Sequence, residues 1–285
     1  MAAVQAAPSG CQTQPSAAPS CPLPDIPTLL KAVEAHQRAE EAAQRDYTYH
    51  SFVTSRTLDS HGQLKKSSTA EFDHFVLDGV PVRRMVRKDG KDLTPDELAK
   101  EDQRLEKEAR HASERRSRAD AAGKETDPTG HDEVTVSRLL ELGQFLHPQR
   151  VQLNQRSAIR VDFQGDPNAH TRNHAEAVIR DMAGTAWIDE ADQTLVQVDG
   201  HFVNSFKIGA GLVMNIQKDT NFHVQWRKIN DEVWLPAQLN ASGAARILLV
   251  DSFHGTIDVT YADYRKYRTS SRILPELNTV EQSPK

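Results

Sequence analysis

The chain has 285 residues, a formal net charge of −5 and 38% hydrophobic residues, with a mean hydropathy of −0.62. That length suits one large domain or two small ones, and so polar a chain either carries long solvated segments or exposes one whole face of a sheet. The acidic balance gives no attraction to nucleic acid or to an anionic membrane surface, and no stretch approaches the roughly 18 consecutive apolar residues of a membrane helix.

Residues 1–25 are dominated by Pro, Ala, Ser and Gln and read as disordered. Met1–Ala7 resembles the close of a secretory signal, with small residues at Val4 and Ala6, but the charged start and apolar middle are missing. Either the true start lies upstream or the likeness is chance. Ser9-Gly10-Cys11 resembles the end of a lipoprotein acylation site, with Pro8 where a branched apolar residue belongs. Cys11 and Cys21 have no Cys or His neighbour at metal-ligand spacing. They close a short disulfide loop in an oxidising compartment, or they are thiols in a disordered tail.

Pro27–Arg45 reads as a helix capped by Thr28, with Leu29, Leu30, Val33 and Ala43 as its apolar members. From Tyr47 the period changes to two, and a turn at Asp59–Gly62 ends the first strand. Strands over 65–77 and 80–88 end at Asp78-Gly79 and Asp89-Gly90, which are hairpin signals. Thr94-Pro95-Asp96-Glu97 is a capping box that opens a helix to about Ala122. Its large apolar residues are only Leu98 and Leu105, so it is expected on the surface, supported by pairs such as Glu106–Arg110. The basic run Arg115-Arg116-Ser117-Arg118 lacks aromatics and is flanked by acids, which marks a solvated face rather than a nucleic-acid contact.

A polar linker over 123–133 leads to a short helix over 136–144. Strands follow at 149–153, 157–164, 185–189, 195–206, 221–229, 232–242, 244–252 and 256–267, and the tail from Thr269 is polar. No phosphate-cradling glycine loop, nucleophile elbow or metalloprotease helix motif occurs. His170 and His174 have helical metal spacing but no third ligand, so no metal or other cofactor is expected. Nothing makes a positive case for an enzyme.

Aromatic and apolar side chains do recur through the later strands. For any one of them, packing in a core is the simpler account. As a set, Trp187, Phe202, Phe206, Leu212, Met214, Phe222, Trp226 and Trp234 are the candidate lining of a hydrophobic cavity. The segment 208–216 is apolar, interrupted by glycines and uncharged, and its Met214 is an adaptable contact. It suits a lip at the mouth of that cavity, and equally a covered connection.

Three segments together resemble the LolA/LolB-like superfamily of bacterial envelope proteins, also described as outer-membrane lipoprotein-sorting-like. They are Gly184-Thr-Ala-Trp187-Ile-Asp189 followed by Leu195-Val-Gln-Val198; Ile229-Asn-Asp-Glu-Val-Trp234-Leu-Pro236; and Val259-Thr-Tyr261-Ala-Asp-Tyr264. The resemblance covers roughly residues 46–268, and its motifs mark strand pairs rather than a catalytic site. It implies a mainly β fold: a strongly curved, unclosed antiparallel half-barrel with a few helices on one face, to which this chain adds the long charged surface helix. It also implies an apolar cavity for acyl chains and a place in the periplasm or cell envelope.

The expected organisation is a disordered segment over 1–25, a helix over 26–45, a β domain over 46–268 with a charged insertion at about 92–133, and a loose tail over 269–285. The expected function is non-catalytic binding or carriage of a lipid-like ligand or of lipoprotein acyl chains. The alternative is a structural or sensory envelope module whose charged helix 94–122 docks a protein.

Overall fold

The computed structural model describes residues 22–267, apart from 125, 132, 209–213 and 248–250. Cys11, Cys21 and Leu212 lie outside the described residues, as does the tail beyond 267.

The first helix, α1 (Ile26–Gln44), is capped by Asp25, whose carboxylate accepts from the N–H and the hydroxyl of Thr28. Thr28 therefore sits inside the first turn and does not cap it. A meander follows: β1 (Tyr47–Leu58), β2 (Leu64–Leu77), β3 (Val80–Lys88) and the short β4 (Lys91–Asp92). Asp78-Gly79 and Asp89-Gly90 hold positive φ at both central positions, 51° and 77° and then 49° and 74°. That is the type I′ geometry whose twist matches flanking strands.

Helix α2 (Pro95–Ala121) opens with the expected capping box, Thr94 and Glu97 satisfying each other's backbone N–H. Its buried stripe is Leu105, Ala109 and Ala112, which pack on Val80 and Val82. Alanines let the helix lie close to β3, so the thin stripe buries more firmly than its two leucines suggest. Arg104 supplies surface support through Glu101 and Glu108, both at 2.6 Å.

After α3 (Val136–Leu142) come β5 (Gly143–Leu153), β6 (Arg156–Gly165), α4 (His174–Arg180), β7 (Met182–Asp189) and β8 (Thr194–Phe202). The chain ends with β9 (Phe206–Ile208), β10 (Met214–Ile216), β11 (Asn221–Ile229), β12 (Val233–Ile247) and β13 (Asp251–Lys266). Several strand boundaries differ from those expected, β7 starting at Met182 rather than 185 and β13 at Asp251 rather than 256, and the short β4 and β10 were not expected. The run 195–206 divides at Val203–Ser205 into β8 and β9. The run 232–242 continues through Gly243 into the start of the run 244–252 to make β12, which ends at Ile247, while Asp251 and Ser252 open β13; β5 starts at Gly143 rather than Gln149. Helix α4 was not expected at all. His174 is its first residue and His170 lies in the loop before it, so the two do not share a helix.

All pairings are antiparallel, and the strands follow the order β4-β3-β2-β1-β13-β12-β11-β8-β7-β6-β5, with β10 joined to β12 and β9 to β10. Among the described residues the path ends at β4 and β5, so the fold is mainly β, with an unclosed sheet and four helices. Helices α1 and α3 cover one end of one face. There Leu29, Leu30 and Val136 pack on Ile159 and Ile188, and beside them Ala43 packs against Tyr47, Val233 and Leu235. Helix α2 lies on the opposite face, over β3 and the end of β2. Among the described residues no helix is long and apolar enough to cross a membrane.

Candidate functional site

Alternate residues of a strand face opposite sides of a sheet, so the pairing register sorts this sheet into two surfaces. On the face that bears α1 and α3, Val161, Ala186, Val198, Val224, Leu239, Val259, Val53 and Ala70 stand in one row across β6, β7, β8, β11, β12, β13, β1 and β2. The adjacent row carries Phe163, Gly184, Gly200, Phe222, Ala241 and Ile257. A Cβ at Gly200 would come within 2.3 Å of the Phe222 ring, so the glycine lets that ring lie down on the sheet. Of the first row only Val161 and Val259 are buried, and the rest stay half-buried. This is an apolar strip left beside α1.

On the other face the neighbouring row is wholly polar: Asp162, Thr185, Asp199, His223, Asn240 and Asp258 on β6, β7, β8, β11, β12 and β13. These residues line an open hollow of about 890 Å³. Their side chains bond along the row. Thr185 Oγ1 donates to Asp162 at 2.8 Å, and Arg160 reaches the same oxygen at 2.8 Å. Asn240 Nδ2 donates to Asp258 at 2.7 Å, and Arg56 donates to its other oxygen at 2.6 Å. His147 Nδ1 lies 3.2 Å from Asp162, and His223 pairs with Asp199. Burial pushes the Asp162 carboxyl up, but the hydrogen bonds from Thr185 and His147, with Arg160 beside them, hold it below its usual value.

The eight candidate residues fall into separate places. Phe222 and Trp226 are half-buried on the apolar face, and Phe202 is buried on that same face beyond Gly200. Phe206 is buried in β9. Met214 begins β10, its backbone paired with Ile208 and Ile247. Trp187 lies on the polar face, 6.0 Å from the Arg160 guanidinium. Trp234 is buried near a turn, where its Nε1 donates to Asp192 at 2.9 Å.

That turn explains two of the resemblance segments. Asp189 is 1% exposed and takes a two-pronged bond from Arg156 at 2.6 and 2.9 Å. Arg156 also reaches Asp192, as does Lys228 at 2.7 Å. Burial alone would raise the pKa of Asp189, but Arg156 and the N–H groups of Asp192 and Ala191 outweigh it and hold the carboxyl low. The Trp187-Ile-Asp189 and Val233-Trp234 segments thus meet through one ion network. A second buried carboxylate, Glu176 on α4, is held at about 2, first by hydrogen bonds from Arg138.

The polar row was not singled out in the sequence, because its members come from six strands and are brought side by side only by the pairing register. Its signal is in the sequence: Gln197, Asp199 and His201 on β8, Asn221, His223 and Gln225 on β11, and Gln238, Asn240 and Ser242 on β12 alternate with apolar residues and include no Lys or Glu.

No family model matches this sequence, and no curated protein matches it. Similar solved structures include an outer membrane lipoprotein-sorting protein domain from Vibrio parahaemolyticus, with 8% identity over 86% of this chain and 95% of that one, TM-score 0.39. A LolA superfamily protein from Nitrosomonas europaea is similar at 6% identity over 83% and 94%, TM-score 0.33. A chain of the MucA/MucB complex of Pseudomonas aeruginosa is similar at 11% identity over 84% and 100%, TM-score 0.24. With every one of these TM-scores below 0.5, the functional reading rests on the chain's own residues.

Proposed function

We propose that this protein is a non-catalytic carrier of the bacterial cell envelope, holding a lipid-like ligand or a lipoprotein acyl chain against the apolar face of its sheet beside α1. The observation that carries the reading is the half-buried strip from Ala186 to Ala70, apolar across the strands and left uncompleted by the helix cores at its end. The resemblance of three strand-pair segments to LolA/LolB-type proteins points the same way. Leu212 and Met214 are further proposed contacts, from the segment between β9 and β10.

Each buried methylene contributes about 0.8 kcal/mol, so ten give a gross gain near ~8 kcal/mol. Ordering the chain and its surroundings consumes about half of that. Binding is therefore expected between micromolar and millimolar, tight enough to carry a ligand and loose enough to release it. Neither His147 nor His223 hydrogen-bonds a hydroxyl or thiol nucleophile among the described residues; both face carboxylates.

The test is titration with a fluorescent fatty acid. Ala186→Trp and Ala241→Trp fill the strip and should each weaken uptake by roughly tenfold or more, the loss of about 1.4 kcal/mol, while leaving the thermal midpoint in place. Uptake unchanged in both variants would rule out this face as the site.

A further inference from the structure

The hollow on the polar face plays no part in acyl-chain carriage. We propose that it is a second binding site, one that takes a neutral oligosaccharide. Its volume of about 890 Å³ lies toward the top of the range for small-ligand pockets, roughly 300–1,000 Å³. Such pockets are mostly apolar with a few placed polar groups, and this one sets Asp162, Thr185, Asp199, His223, Asn240 and Asp258 in a wall that is otherwise largely apolar. An acyl chain laid there would strip water from each of these groups and return no hydrogen bond.

Charge argues against an anionic ligand. Arg160 pairs with Asp162 and Arg56 with Asp258, His147 and His223 meet Asp162 and Asp199, and Asp219 adds a fourth carboxylate to the wall. An anion would face these carboxylates with both arginines already engaged. What the row still offers is hydrogen-bonding capacity of both signs. The carboxylates keep free lone pairs, the Thr185 hydroxyl can accept as well as donate, and Asn240 has a second N–H beyond the one given to Asp258. Sugar hydroxyls donate and accept at once, so a row of alternating donors and acceptors suits them.

Position argues against a peptide. The row lies in mid-sheet, where the strands on either side are already paired, so an extended peptide finds no open edge to join. A sugar also presents an apolar ring face, and Trp187 stands two residues along β7 from Thr185 on this surface. Its indole is an amphipathic platform of the kind that such a face stacks on.

Saturation-transfer NMR on the full chain with maltotetraose, cellotetraose and chitotetraose tests the proposal. At least one should bind at millimolar concentration or below. Thr185→Val and Asn240→Leu should each weaken it by roughly five- to tenfold, as expected for a lost hydrogen bond, without moving the thermal midpoint. Should either variant unfold, Trp187→Ala replaces it and should weaken binding likewise. Ala186→Trp, on the opposite face and outside the lining of the hollow, should leave sugar binding intact, so the two sites can fail separately. No transfer from any of the three sugars would overturn the proposal. So would equal binding by the polar-face variants, or binding of a lysine-rich peptide in place of sugar.

Discussion

Asp189 and His74 show how single buried groups set the behaviour of this chain. Asp189 is wrapped by Arg156 and two backbone N–H groups. Asp189→Ala should destabilise the fold by about 2–3 kcal/mol, somewhat less than loss of a fully buried pair because Arg156 is partly solvated. Chemical denaturation checks this. Its folded pKa is depressed, so its contribution is complete above the usual carboxylate value and fades as pH falls through the folded one. His74 acts with the opposite charge. Burial, then Arg83 and His50, lowers its pKa from 6.5 to about 4, and the neutral ring meets Ser51 Oγ at 2.8 Å and stacks on Tyr49 at 4.6 Å. Between those two pH values the unfolded chain binds the proton and the folded one does not. Stability should therefore fall as pH drops from 6.5 to about 4, and His74→Gln should flatten that part of the curve. An unchanged slope would show that His74 is not its source. Neither role was legible in the sequence. Asp189 and Trp234 stood in recognisable segments, but Arg156 reaches Asp189 from 33 residues away and Trp234 reaches Asp192 from 42.

Elements whose instructions are local were the legible ones. The two Asp-Gly hairpins and the Thr94 capping box each specify their geometry within four residues, and the structure has them where they were read. Thr94→Ala should cost about 1 kcal/mol of stability, and hydrogen exchange should place the loss in the first turn of α2. Loss spread evenly over the sheet would show that the cap matters through α2's packing on β3 instead. Elements defined by tertiary contacts were misread. Helix α4 offers only the adjacent Val178 and Ile179 as large apolar residues, so no helical period shows. Gly243 was taken as a break, yet β12 runs through it because Thr220 lies where a side chain would stand, 2.4 Å from an added Cβ. Of the candidate site, the apolar strands were legible, but which aromatic faces which way depended on register. Bulges at Trp187/Ile188 and Gln225/Trp226 shift that register and could not be counted from alternation alone.

At the scale of the whole molecule, one sheet presents two chemically opposed surfaces. The low hydrophobic content of the chain follows from this: one face is floored with carboxylates, amides and imidazoles, and α2 adds a charged exterior. The helices finish only part of the apolar face, sealing the end near Asp189 and leaving the strip beyond half-covered. A sheet that only needed a core would have no use for such a strip, whereas a carrier needs apolar area that its own chain does not fill. The most direct measurement is native mass spectrometry of the full chain, purified from bacterial envelopes without detergent and followed by lipid extraction. The account predicts a population heavier by the mass of an acyl-bearing lipid, depleted in Ala241→Trp. A single species at the polypeptide mass, with no lipid in the extract, would contradict it.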